Sequence, residues 1–487
     1  MVPLERRIVG VETEFGCLVD DENLGRPEGI VEAIKDYLFL DAKIGVLDVV
    51  ARDEVFEPAQ SGGFLVNGGR LYIDAVGSHL EYATAECIGI RDLIANDRAG
   101  QRWILRALDD LRINDAVSVY NNSIDHFGGH TFGCHENYLV AGEEMIGGVA
   151  AMKLLSFLAT RQIFAGVGRV GGHILVDGGR PDYQEVVANP VDYIWVGHVY
   201  DVLPDPDVRF QLSQRADHIL KPLASRVRFN RAMINPKWEH LYSYGGTTRL
   251  HLLFGEANQS EYAYALKVGT TVLVLRLLEE DRIDDRWILA NPVRSLREVS
   301  RDESWRWEVR LSDGSFLGAV DLQREFLELA QIYRGADEDT DWILDQWEDV
   351  LDGLERDPMA LADRLDWVAK RKILEQYIQE EGTDWSDDAL HSVDLEYHNI
   401  DPEKSLFHAY AEVNGMLRVV TEGQIVDAMD TAPANTRAAA RAELVRRLQG
   451  LKGRRLFAVD WSGVSAGPRT YFDLSDPFDP TVPEPTR

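Results

Sequence analysis

The chain has 487 residues, 45% of them hydrophobic, and a formal net charge of −31 at pH 7. That length and apolar content suffice for a sizeable core, and the charge argues against non-specific nucleic-acid binding, which depends on Lys and Arg neutralising phosphates. No apolar run approaches the roughly 18 to 20 residues of a membrane span, the opening Met1-Val-Pro-Leu-Glu-Arg-Arg lacks a signal peptide's apolar region, and Cys17, Cys87 and Cys134 are too few for a disulfide framework or a structural zinc site. A cytoplasmic globular protein with reduced thiols is expected, with neither a nucleic-acid nor a membrane partner.

In the first segment, Arg6-Arg-Ile-Val-Gly-Val-Glu-Thr-Glu-Phe15, apolar and polar residues alternate as in a strand, where side chains two apart share a face. Glu12 and Glu14 look one way, and Val9, Val11, Thr13 and Phe15 the other. Two carboxylates side by side repel unless a cation lies between them, and Mg²⁺ takes carboxylate oxygens while keeping waters and substrate phosphates. Ile30, Ala33, Ile34 and Leu38 then give helical spacing over Pro27 to Leu40, and Gln60-Ser-Gly-Gly63 and Asn67-Gly-Gly69 punctuate the approach to Arg70-Leu-Tyr-Ile-Asp74. In that strand Arg70, Tyr72 and Asp74 share a face.

A helix is expected from Ile90 to Leu111, and a strand from Val117 to Asn122 leads to Asp125-His-Phe-Gly-Gly-His130, whose glycines serve either turn geometry or phosphate approach. His135-Glu-Asn-Tyr-Leu-Val-Ala141 places His135 and Asn137 opposite Tyr138 and Val140, and Cys134 points away from His135. Thr248-Arg-Leu-His-Leu-Leu-Phe254 puts Arg249 and His251 on one face. If these strands belong to one sheet, its polar face is a cradle for a metal-nucleotide complex.

Beyond this point helices take over. Leu266 to Leu278 suits a buried helix, and Asp321 to Tyr333 begins a helical stretch reaching about Tyr377. The acidic runs Asp337 to Asp352 and Gln379 to Asp388 read as solvated helix faces and loops. A helix from Arg437 to Leu448 and a strand Phe457-Ala-Val-Asp-Trp461 follow. The order favours an α+β fold, with a catalytic domain over residues 1–404 and a small C-terminal domain over 405–487 whose proline-rich tail from Asp479 is expected to be disordered.

Gly10-Val-Glu-Thr-Glu-Phe-Gly16, Asn67-Gly-Gly-Arg-Leu-Tyr-Ile-Asp74, Gly77-Ser-His-Leu-Glu-Tyr-Ala-Thr-Ala-Glu-Cys87, Gly133-Cys-His-Glu-Asn-Tyr-Leu139 and Arg249-Leu-His251 resemble the family of the Pup ligase and its sister, the depupylase and Pup deamidase. The order continues through Ser213-Gln-Arg-Ala-Asp217, Leu266-Lys-Val-Gly-Thr-Thr271, Asn291-Pro-Val-Arg294, Asp366-Trp-Val368, Asp394-Leu-Glu-Tyr-His398 and Asp460-Trp461, and is weakest from Cys17 to Gly63.

The resemblance implies a large glutamine-synthetase-like domain whose antiparallel sheet cradle packs against helices, with ATP and Mg²⁺ as cofactors. It implies a Pup-like small protein modifier as partner, its terminal glutamate side chain activated as an acyl phosphate and joined to lysines of target proteins, marking them for proteasomal degradation. By motif, Glu12, Tyr72 and Glu81 fall at the metal, Arg70 and Thr84 at ATP, Trp461 against the nucleotide, and Asp74 at the base position. Glu14, His135, Arg249 and His251 are further candidates at the metal-phosphate site, each weighed against a hydrogen-bonded structural role.

The stretch from Asp74 to Glu81 is one residue longer than the ligase pattern, so Glu81 keeps its facing only if a bulge or turn absorbs the extra residue; Glu86 is the alternative ligand. An acidic modifier requires a locally basic groove, for which Arg364, Lys370, Arg371 and Lys372 are candidates. The depupylase uses the same cradle, and a small-molecule carboxylate-amine ligase or a catalytically silent modifier-binding protein are the other readings. The ligase is favoured because its matches surround the reacting groups.

Overall fold

The computed structural model describes residues 6–49, 58–74, 79–125, 130–177, 200–224, 231–236, 244–450, 457–467 and 469–486. The stretch 75–78 and the glycines at 128 and 129, on which the insertion and phosphate-approach readings bear, lie outside the described residues. Among the described residues no helix is long and apolar enough to cross a membrane.

A ten-stranded sheet organises the chain. It contains β1 (Val9–Val19), β2 (Gly45–Leu47), β3 (Gly62–Leu65), β4 (Arg70–Asp74), β5 (His79–Ala83), β6 (Val117–Tyr120) and β7 (Cys134–Val140), followed by strands Lys221–Leu223, Ala232–Asn235 and Thr248–Leu252. From one edge the order is Lys221–Leu223, Ala232–Asn235, Thr248–Leu252, β7, β1, β5, β4, β3 and β2, and β6 pairs with β1 off this path. Every pairing is antiparallel except that of Lys221–Leu223 with Ala232–Asn235. The α+β expectation with an antiparallel sheet is borne out.

Strand β1 is the hub because its eleven residues serve three partners. It pairs with β7 through Val9 to Thr13, with β5 through Glu12 to Phe15, and with β6 through Gly16 to Val19. Its alternation works as read: Val9, Val11 and Phe15 are almost completely buried on the face that packs against helices. Burial of each such side chain contributes roughly 1.5–3 kcal/mol. Helix α1 spans Pro27–Asp36, with Pro at its first turn, and runs on as a π-helical turn over Tyr37–Asp41. Helix α2 occupies Ile90–Leu111 as expected, burying Leu93, Ile94, Ile104 and Ala107. Helix Glu261–Glu279 is apolar nearly all round and correspondingly buried.

One buried ion pair fixes β7 from beneath. Glu136 lies between His135 and Asn137 and points to the opposite face, where Arg161 donates to both of its carboxylate oxygens, one at 3.0 Å, and the Tyr138 hydroxyl donates at 2.6 Å. Both charged side chains are fully buried. The same guanidinium also donates to the Thr271 hydroxyl and the Lys267 carbonyl, so one cation ties β7 to helix Glu261–Glu279.

The C-terminal elements close the β2 side of the sheet. Helix Arg437–Gln449 packs Ala440, Leu444, Val445 and Leu448 against Val46, Phe64 and Val66, together with Val459, Val464 and Leu474 of the following strands. The proline-rich tail departs from the expected disorder, because Thr486 and Tyr471 exchange backbone hydrogen bonds of 2.7 and 3.1 Å. Proline interrupts helices and central strands but leaves residues such as Thr486 free to pair at an edge.

Arg161→Ala leaves Glu136 charged, buried and uncompensated, so urea denaturation is expected to show a loss of about 3–5 kcal/mol. The double replacement Arg161→Met with Glu136→Leu should recover much of it.

Candidate active site

Strand register assembles the polar face row by row. In an antiparallel pair, residues directly opposite share a face and approach closely. One row runs Arg70, Ala83, Glu12, His135 across β4, β5, β1 and β7; the next runs Tyr72, Glu81, Glu14; Asp74 faces His79 beyond it. On the other side of β7, Asn137 faces His251. Asp74 pairs with His79 and Tyr72 with Glu81, so Glu81 shares a face with Tyr72 and Glu14 and keeps its facing.

Glu12 is held by a dense set of donors. Arg249 donates to Glu12 Oε1 at 2.9 Å and Asn137 Nδ2 does so at 3.1 Å, while His135 Nδ1 and His251 Nε2 lie 3.4 and 3.6 Å from Oε2. Arg249 Nε also donates to Asn137 Oδ1 at 2.6 Å, so one guanidinium orients both groups. Burial alone would raise the Glu12 carboxyl, but Arg249, His135 and His251 outweigh it and hold it well below the usual range. Glu12 is therefore a carboxylate.

Glu81 is the opposite case. Burial, then the charges of Asp74, Glu12 and Glu14, push it well above the ordinary value, and burial followed by Glu81 does the same to the Tyr72 phenol. Glu14 is steadied by His79, whose Nδ1 lies 2.8 Å from Oε2 and whose ring packs 4.5 Å from that of Phe132.

Glu12, His135 and His251 bring ligand atoms within 4.8 Å of one another, and so do Glu14, Asp74 and Glu81. The second, all-oxygen set suits a hard ion such as Mg²⁺, and a cation there relieves the repulsion that raises Glu81. The first set mixes imidazole with carboxylate and suits a wider range of divalent metals; His251 Nε2 faces Glu12 Oε2 at 3.6 Å, while among the described residues its Nδ1 has no hydrogen-bond partner.

Space around these groups is tight. A Cβ on Gly133 would stand 2.5 Å from Glu14 Oε1 and 2.6 Å from His135 Nε2, so any other residue there would push those two side chains from their places.

A cleft opens at the Gly10 end of β1, lined by Gly10, Glu12, Thr84, Asn137, Arg249 and Trp461 among others. The Thr84 hydroxyl accepts from the Val11 amide at 3.0 Å. Trp461 is set by an edge-on contact with Phe64, centroids 4.9 Å apart, and by the Arg441 guanidinium 4.8 Å over its ring. Arg70 is buried, ion-paired with Asp48 at 3.1 Å and stacked 4.2 Å over the Tyr72 ring. Glu12, Glu14, Arg70, Tyr72, Asp74, Glu81, Thr84, His135, Arg249, His251 and Trp461, the metal, nucleotide and base candidates of the sequence, thus fall on this face or in its cleft.

Two other readings change, and one holds. Glu86 is no metal ligand: Arg437 Nε donates to it at 2.8 Å and Arg441 clasps both its oxygens. Burial would raise its carboxyl, but Arg441 and then Arg437 hold it down to about 2. The supposed basic groove is mostly neutralised internally, with Lys370 buried against Asp394 at 2.6 Å, Arg364 paired with Asp363 and Asp349, and Arg371 paired with Glu303 and Glu375. Of the four, Lys372 is exposed. Cys134 is buried facing away from His135, and burial pushes its thiol up to about 11, so it is inert as a nucleophile, as read.

His79 and Asn137 belong to the site though neither was picked as a site residue. The signal was parity, since His79 is two residues from Glu81, and Asn137 two from His135, on the same strands.

Carboxylates gathered beside a cleft with an indole wall have the character, by class, of an enzyme site that suits a nucleotide. The family model described as "Pup-ligase protein" matches residues 7–465. The Pup–protein ligase of Kineococcus radiotolerans is 34% identical over 472 residues, covering 94% of this chain and 93% of that protein. That of Nakamurella multipartita is 34% identical, covering 98% of each. A crystal structure of Pup in complex with its ligase PafA superposes with TM-score 0.78 at 30% identity, covering 98% of this chain and 90% of the other. PafA in complex with ADP superposes with TM-score 0.71 at 32% identity, covering 86% and 88%. The chain belongs to the Pup-ligase family.

Glu86 gives a pH test. Its folded value of about 2 lies below the ordinary 4.5, so its stabilisation is complete above 4.5 and fades as pH falls towards 2. The melting temperature of Glu86→Gln should fall below wild type at neutral pH, with the gap closing on acidification through that window.

Proposed function

We propose that this chain is an ATP-dependent ligase that joins the side-chain carboxylate of a terminal glutamate on a Pup-like modifier to lysine amines of target proteins, in the cytoplasm. The observation that carries the reading is the placement of two acid-rich ligand sets on the sheet face that borders the Trp461 cleft. The named relatives and the superposed structures are ligases, which supports the direction of synthesis.

Joining a carboxylate to an amine in water requires an activated acid, which ATP supplies as an acyl phosphate. Trp461 and Thr84 hold the nucleoside end, while Arg70 and Arg249 meet phosphoryl oxygens as charge-assisted donors. Glu12, Tyr72, Glu81 and Glu14 would hold Mg²⁺, with His135 and His251 beside Glu12. When bound, the cation neutralises phosphate charge and orients it for in-line transfer.

Asp74 stands at the far end of β4 from Arg70, in the same acid set as Glu14 and Glu81. There it takes the proton from the lysine ammonium as nitrogen attacks the acyl carbon and inorganic phosphate leaves. A general base of this kind contributes on the order of 10²- to 10⁴-fold.

Incubated with ATP, a glutamate-ending modifier and a lysine-bearing acceptor, the protein is expected to yield conjugate and ADP. Release of modifier from a preformed conjugate, without synthesis, would instead support the hydrolase. Asp74→Asn should lose conjugation on the order of 10²- to 10⁴-fold with near-normal nucleotide affinity. Glu12→Ala should weaken Mg-ATP binding severely in calorimetry, and unchanged affinity in the folded variant removes Glu12 from the site.

A further inference from the structure

The segment Ser213-Gln-Arg-Ala-Asp217 has so far been given no role, yet few stretches are clamped as tightly. The Ser213 hydroxyl bonds to the buried Glu256 carboxyl, and the Ser213 amide donates to Ser300 Oγ at 3.0 Å. Gln214 Oε1 accepts from the Ser123 amide at 2.6 Å, and its Nε2 lies 3.0 Å from His398 Nε2. The Arg215 amide donates to Glu256 Oε1 at 3.1 Å, and Asp217 accepts from Arg301, Gln211 and the His173 amide. Every polar side chain in the segment is spent on holding it in place except that of Arg215.

Arg215 is 6% exposed. Among the described residues its side chain makes one hydrogen bond, a long one from Nη1 to the Phe132 carbonyl at 3.4 Å, and its Nε has no partner. A guanidinium carries five N–H donors, and a buried one normally satisfies them. Phe132 precedes Gly133, whose carbonyl accepts from the Glu14 amide at 2.9 Å and whose Cα lies against Glu14 and His135. The foremost carboxylate acting on Arg215 is Glu14, followed by Glu256. The cation therefore sits at the Glu14 end of β1, whereas the nucleotide cleft opens at the Gly10 end and does not include Glu14. An anion meeting it comes from the reacting end of the site.

We propose that Arg215 binds an oxyanion at the acceptor end: the modifier carboxylate or the phosphoryl group that it receives. A prepositioned, desolvated guanidinium meets either as a charge-assisted, two-point donor. The carboxylate oxygen attacks the γ-phosphorus, the bond to the bridging oxygen of ADP breaks, and Arg215 faces the oxygens carrying that charge. The lysine nitrogen then attacks the acyl carbon, the bond to the phosphate oxygen breaks, and the proton goes to Asp74. This inference rests on the ligase reading above.

The test compares full-length wild type with Arg215→Lys and Arg215→Ala. Conjugate formation should fall on the order of 10²- to 10³-fold in the alanine variant and less in the lysine variant, with ADP affinity changed less than about threefold. Methylguanidinium should restore part of the rate to Arg215→Ala and none to Asp74→Asn. A rise in KM for the modifier at constant kcat assigns the bound oxyanion to the carboxylate; a fall in kcat at constant KM assigns it to the phosphoryl group. Conjugation within about threefold of wild type, an equal loss of ADP affinity, or loss of folding in both variants without rescue overturns the assignment. A wild type that forms no conjugate removes the ligase reading and this inference with it.

Discussion

Repulsion among carboxylates is the constraint around which the catalytic face is built. Glu12, Glu14, Asp74 and Glu81 stand on adjacent strands with their side chains to one side, in registers that give them no room to diverge. The protein answers unequally. Around Glu12 it supplies Arg249, Asn137 and two imidazoles, enough to keep the charge. Glu81 receives no comparable set and is driven toward its neutral form by burial and its neighbours. Anions only half compensated by protein are an arrangement that a hard divalent ion suits.

Holding like charges together demands a stiff support, and the reverse face of the sheet provides one. Directly behind the His135 and Asn137 side chains, Glu136 and Arg161 form a fully buried pair that binds β7 to helix Glu261–Glu279. Such pairs add little net stability compared with apolar packing, but they punish misplacement severely. On the front, Gly133 leaves Glu14 and His135 their present places, which a Cβ there would disturb.

Much of this was legible in one dimension because strand alternation is a strict code. Glu12 with Glu14, Arg70 with Tyr72 and Asp74, and Arg249 with His251 share faces by parity alone, and helix α2 kept the bounds its apolar spacing implied. Long-range pairing was not legible. Nothing local distinguishes Glu86, which neutralises two arginines from a distant helix, from Glu81, which joins the acid set. Lys370 and Arg371 looked like surface cations until their carboxylate partners, remote in sequence or one helical turn away, were in place. Register across the β4–β5 connection likewise depends on pairing that no count of residues decides.

The clasp of Glu86 by Arg437 and Arg441 has a consequence for biosynthesis. It spans more than 350 positions of chain and sets the Trp461 wall of the cleft through Arg441. A ribosome delivers the N-terminal strands first, at about 5–20 residues per second, so the sheet can pair long before its last wall exists. The nascent chain thus passes through a stage with its acid face assembled and its indole wall missing. Completion of translation, rather than folding of the sheet, is what makes the cleft whole, and a product truncated before Arg437 would keep the strands that bear the carboxylates while lacking the helix that sets the indole wall.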